Sequence, residues 1–141
     1  MTPYKAPLQD IFFSLREIAG AQRIPEWDED LALEVASAFA NFAENEIAPL
    51  NSRGDLQGCR IENGSVQMPD GFREVYQRLA ADGWQGLSLP DEHGGQGLPN
   101  LLQFIVSDIF SGANHSLQMV VNLVPGASNV LTRCGTDEQR H

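Results

Sequence analysis

Along the chain, segments with apolar residues at helical spacing alternate with short segments dense in glycine and proline. This pattern predicts at least five helices and almost no strand. Ile11, Phe12, Leu15 and Ile18 share one face of a short helix over 10–19. Pro7 suits its first turn and Gly20 its stop, and residues 2–6 are expected to extend over another surface. Asp28 is placed to cap a long helix, with Glu29 and Asp30 in the first turn complementing its dipole. Leu31, Val35, Ala38, Phe39, Phe42 and Ile47 form its apolar stripe, and Pro49 marks its expected end after residue 48. Residues 51–69 carry three glycines and few large apolar side chains. They read as an irregular excursion, with a small hairpin near 58–68 because Asn63-Gly64 sits between alternating residues.

Phe72, Val75, Tyr76 and Leu79 mark a helix over 70–82, closed by Gly83. Residues 84–99 form a glycine-dense loop around Pro90. Residues 100–110 are apolar on nearly every side and predict a helix buried all round. Residues 117–124 are similarly apolar and 126–131 continue as helix. Cys134 and Gly135 end that helix, and Thr136 can cap another. The expected fold is all-α, a helical bundle with one hairpin excursion.

Composition narrows the function classes. The apolar fraction is 42% and the charged fraction 20% over 141 residues, which suits one folded domain. The net charge of −10 opposes binding to a phosphate backbone, so a nucleic-acid partner is not expected. No apolar run approaches the roughly 18 residues of a transmembrane helix. The first ten residues lack the apolar stretch of a secretory signal. Cys59 and Cys134 form no metal-binding motif and suit a reducing compartment, so a cytoplasmic location is expected.

Candidate chemistry is sparse. Gly94-Gly95-Gln96-Gly97 has no preceding apolar strand and no following Lys-Ser/Thr, so it reads as a packed turn rather than a phosphate cradle. Glu29 and Asp30 fit helix-start charges, while Glu44 and Glu46 fit a solvated flank better than an acid–base pair. His93, His115 and His141 have no metal-ligand spacing, and Ser111, Ser116 and Ser128 have no supporting triad. The less ordinary feature is a set of amides, Gln118, Asn122 and Asn129, within the most apolar stretch. Gln118 and Asn122 share a helix face. They pair either with backbone at helix ends or with a polar ligand group or water in a pocket wall.

Four ordered segments carry a family resemblance. Leu79-Ala80-Ala81-Asp82-Gly83-Trp84 leads to Pro90-Asp91-Glu92-His93-Gly94-Gly95-Gln96-Gly97. Before it comes the stretch from Phe39 to Pro49, with Glu46-Ile47-Ala48-Pro49 at its end. After it come the buried run from Leu101 to Phe110 and Cys134-Gly135-Thr136-Asp137-Glu138-Gln139-Arg140. Together they resemble the N-terminal helical domain of acyl-CoA dehydrogenases. The opening Tyr4-Lys5-Ala6-Pro7 and the linker Met68-Pro69-Asp70-Gly71-Phe72 resemble a bacterial branch with an N-terminal extension. That branch includes 3-methylmercaptopropionyl-CoA and long-chain acyl-CoA dehydrogenases. On this resemblance 1–27 is the extension, with one short helix, and 28–141 is the helical domain, truncated before a β-domain.

The resemblance implies a flavin-dependent (FAD) oxidation of an acyl-CoA to the trans-2-enoyl-CoA. A glutamate base takes the α-proton, the β-hydride goes to the flavin, and electrons leave to an electron-transfer flavoprotein or another acceptor. The base and most flavin contacts are implied to lie beyond His141, so the chain alone is expected to be inactive and not to hold FAD tightly. Faces that further domains would cover are expected to be apolar, and the parent protein a homo-oligomer. Counting back from Gly135, Gln118, Met119, Asn122 and Gly126 fall where relatives line the acyl pocket, with Pro125 as a departure that kinks or restarts the helix. The alternative from another class is a stand-alone helical interaction module, which would need a polar outer face all round.

Overall fold

The computed structural model describes residues 3–140. His141, and the first residue of the predicted 2–6 extension, lie outside that range. Among the described residues, seven α-helices and one two-stranded hairpin follow in the order α1 (Leu8–Phe13), α2 (Glu29–Phe42), α3 (Pro49–Gln57), β1 (Arg60–Glu62), β2 (Ser65–Gln67), α4 (Phe72–Ala81), α5 (Asn100–Val121), α6 (Leu123–Cys134) and α7 (Asp137–Arg140). The all-α expectation holds, and so does the hairpin. Arg60 pairs with Gln67 and Glu62 with Ser65, around a turn in which Asn63 and Gly64 both have positive φ.

Several boundaries follow from the residues named above. The helical run of α1 continues through a wider turn, Ser14–Ala19, and stops at left-handed Gly20. Asp28 caps α2 by accepting the Leu31 N–H at 3.0 Å. Thr136 begins α7 with its N–H bonded to Gln139 Oε1, three residues on.

The prediction for 49–57 needs correction. Ala48 keeps helical angles, and Pro49 opens α3 at its first position, where a missing N–H costs nothing. Proline thus restarts the helix here, and the irregular excursion shrinks to 58–71. The stripe of α2 also differs. Ala32, Ala36, Phe39, Ala40 and Ala43 are buried, whereas Ala38 is exposed and Leu31 and Val35 are half-buried. α2 with α5 is the most extensive packing pair of the domain.

The core gathers Phe39, Ile47, Leu79, Leu87, Leu102, Ile109 and Leu117, all less than 3% exposed. Phe39 is its hub, with ring centroids 4.9 Å from Trp84, 5.8 Å from Phe110 and 6.2 Å from Phe42. Residues before Asp28 pack on the same core through Tyr4, Ala6, Leu8, Ile11 and Phe12. The Tyr4 hydroxyl donates to the Ile109 carbonyl at 2.9 Å, beside Gly112, where a Cβ would stand 2.8 Å from that oxygen. Burial, then the nearby Asp108 and Glu44 carboxylates, raise the Tyr4 pKa above its usual value.

Candidate functional site

α5 contains the decisive irregularity. Asn114 departs from helical geometry, with φ −161° and ψ 90°. Its side-chain Oδ1 accepts the Leu117 N–H at 3.1 Å and the Ser116 hydroxyl at 2.8 Å. Asn114 therefore acts as an internal cap that ends one helical stretch and starts another at His115. Residues 100–110, expected from sequence to be buried all round, have an exposed face instead. Phe104 is 69% exposed and Asp108 is exposed, while Leu102, Ile105, Val106 and Ile109 face the core.

The kink lays 115–121 so that Gln118 reaches back to the preceding stretch. Gln118 is 5% exposed. Its Nε2 donates to the Ser107 carbonyl at 2.8 Å and to Ser107 Oγ at 2.9 Å. Ser107 Oγ in turn donates to Asn122 Oδ1 at 3.2 Å. The Ser107 carbonyl is acceptor only, which fixes the Gln118 amide with Oε1 toward His115 Nδ1, 3.0 Å away. His115 Nδ1 must then carry a proton, shared with Ser111 Oγ at 3.1 Å. Ser107, Ser111, His115, Gln118 and Asn122 thus form one continuous polar strip along α5.

Of the four residues expected at an acyl pocket, Gln118 and Asn122 come together on one small cavity. Gln118 pairs with mid-helix groups rather than with a helix end. Met119 is 61% exposed and lies off the cavity. Gly126 is exposed on the first turns of α6, and a Cβ there would meet nothing within 4 Å. Pro125 sits in the opening turn of α6, where it restarts a helix after Asn122 rather than breaking one.

The cavity is otherwise walled by Phe39, Trp84, Phe110, Val106 and Val121, with Gln85 and Gln103 among the lining. Sequence reading missed Gln85, Gln103 and Ser107. The signal was present, because Gln103, Ser107 and Ser111 recur every four residues inside an apolar helix.

The glycine turn is structural. Gly95 lies so close to Leu89 that a Cβ would stand 2.1 Å from its carbonyl oxygen. The N–H groups of Gly95, Gln96, Gly97 and Leu98 donate to the carbonyls of Pro90, Gly86, Leu89 and Leu87. With those donors occupied, the turn does not fit a flavin diphosphate. Glu44 is engaged by Lys5 and by the Ala6 N–H. The Lys5 hydrogen bond first, then the Ala6 N–H, hold its carboxyl below the usual range, which makes it a poor base. Glu46 pairs with Arg78 at 2.8 Å. Among the described residues no group of three or more His, Cys, Asp or Glu is placed to hold a metal ion. No helix of the described residues is long and apolar enough to cross a membrane.

α6 has no buried residue, and Leu123, Val130 and Leu131 are 73%, 62% and 41% exposed. Met119 and Val120, on the last turn of α5, are likewise exposed, at 61% and 51%.

Comparison with known proteins places this architecture. The chain is 35% identical to a 3-methylmercaptopropionyl-CoA dehydrogenase of Ruegeria pomeroyi over 97% of its own length. It is 23% identical to a broad-specificity linear acyl-CoA dehydrogenase of Mycobacterium tuberculosis over 99% of its length. A second acyl-CoA dehydrogenase of that organism is 30% identical over 79% of the chain. The chain spans about a quarter of the length of each relative. The family model for the acyl-CoA dehydrogenase N-terminal domain matches residues 29–141, and the chain belongs to that family.

Proposed function

We propose that this chain is the N-terminal helical domain of a flavin-dependent acyl-CoA dehydrogenase and forms one wall of its acyl pocket. The observation that carries the reading is the polar–apolar mouth at the junction of α5 and α6. Gln118 and Asn122 line a cavity there, and Gly126 leaves open space one turn further on. The uncovered apolar side chains of α6 suit a surface that another part of the protein closes. A stand-alone interaction module with a polar outer face fits this surface poorly.

In this reading the domain supplies scaffold and pocket wall. The catalytic base and most FAD contacts come from other parts of the protein. FAD would supply the acceptor for the hydride when bound. Electrons then pass to an electron-transfer flavoprotein or another acceptor. The apolar faces support assembly into a homo-oligomer. The exposed free thiols of Cys59 and Cys134 suit the cytoplasm.

The test uses the gene in its whole length. The purified protein is expected to carry flavin and to reduce an artificial acceptor with acyl-CoA thioesters. Gly126→Leu fills space that no neighbour occupies, so it should leave folding intact and shift preference toward shorter acyl chains. Failure of every acyl-CoA tried would overturn the activity. An unchanged chain-length profile in the Gly126 variant would remove this face from the pocket.

A further inference from the structure

Two residues of the cavity wall each carry an amide atom without a partner. Gln85 Nε2 and Gln103 Oε1 are both buried and unbonded within the protein. Both residues line the cavity shared with Gln118 and Asn122. One atom is a donor and the other an acceptor, and leaving either unpaired in such surroundings is costly. Gln118 does not compete for this role, because both ends of its amide are already bonded.

The space available to a water-sized group is about 20 Å³. About 10–15 Å³ on that measure admits a single water oxygen. The walls around it are the aromatic rings of Phe39, Trp84 and Phe110. The lining includes the exposed Asn122 and the half-buried Pro125, at the start of the helix that carries Gly126.

The chemistry of the pair selects its occupant. A hydroxyl oxygen accepts from Gln85 Nε2 and donates its hydrogen to Gln103 Oε1. A carboxylate would set like lone pairs against Gln103 Oε1. An ammonium would set N–H against N–H at Gln85. A methyl end would leave both amide atoms unpaired. We propose that Gln85 and Gln103 are specificity-determining residues that take the hydroxyl at the end of an acyl chain, so that the substrate class includes hydroxyacyl-CoA thioesters. This rests on the acyl-pocket reading and gives that pocket a chemical preference.

The experiment compares kcat/KM of the full-length enzyme for terminally hydroxylated acyl-CoAs and for unsubstituted acyl-CoAs matched in heavy-atom count. At the length whose tip reaches the amide pair, the hydroxylated member should be favoured by about tenfold. Gln85→Leu and Gln103→Leu should each abolish that preference, mainly by raising turnover of the unsubstituted member. Thermal midpoints of the variants establish that they fold, and the wild-type comparison stands without them. Equal turnover of matched pairs at every length would overturn the proposal and leave the space to a water alone. Preference that persists in both variants would overturn it too. Oxidation of no acyl-CoA at all is a separate result, and it would sink the acyl-pocket reading beneath the proposal.

Discussion

Gln118 offers the clearest separation between a residue kept for the fold and one kept for a ligand. Gln118→Leu preserves most of the volume, so its cost reads hydrogen bonds rather than a cavity. The wild-type amide makes three contacts, at 2.8 and 2.9 Å to Ser107 and at 3.0 Å to His115. Bonds of this kind contribute about 0.5–1.5 kcal/mol each in net terms. Two of the partners keep a second partner in the variant. Ser107 Oγ still reaches Asn122, and His115 Nδ1 still reaches Ser111. The loss therefore falls at the low end of that range, and burying an apolar side chain instead of an amide offsets part of it. The expected net cost is about 1–2 kcal/mol. Gln118→Ala adds vacated volume and should cost about 3 kcal/mol. Urea unfolding of the 141-residue chain measures both. With a slope of about 2 kcal/mol/M, the Leu variant should lower the midpoint by about 0.5–1 M at unchanged slope. A Leu variant as stable as wild type would refute the reasoning. The strip of amides along α5 would then have no net role in stability, and Gln118 would be held for what it contacts in the pocket.

Two further outcomes follow from the same geometry. Gly95→Ala forces a Cβ against the Leu89 backbone at 2.1 Å, so it should lower the thermal midpoint by the equivalent of about 2–3 kcal/mol; a midpoint within one degree or so of wild type would contradict the close approach. Glu44 has its folded pKa depressed by Lys5 and the Ala6 N–H, so its contribution is present above the unfolded value of about 4.3 and is lost as pH falls through the lower folded value. Glu44→Gln should accordingly flatten the acid limb of stability against pH, read as urea midpoints between about pH 3 and pH 7.

Local signals were legible where one residue's chemistry decides the backbone. Asp28 caps, Gly20 stops a helix and Asn63-Gly64 turns a hairpin, because each effect acts within a few bonds. The helix over 49–57 was not legible for two reasons. Its sequence buries only Leu50, and Pro49 serves equally as a stop or as a first residue. Nor could the α2 stripe be resolved by hydrophobicity alone. Leu31 and Val35 outrank Ala32 and Ala36 as apolar residues, yet the alanines are the ones fully buried in the domain.

The site divides in the same way. Sequence by itself determined the all-α architecture, the family and the presence of amides on one face in an apolar stretch. It did so because periodicity and ordered motifs are properties of neighbours along the chain. Tertiary structure decided which amides are spent and which are free. Gln118 is bonded to Ser107 across the Asn114 kink, eleven residues back, while Gln85 and Gln103 converge on one cavity from a loop and a helix eighteen residues apart. No spacing rule joins those two glutamines. Only the packing that brings Phe39, Trp84 and Phe110 together places both glutamines in the lining of one small space.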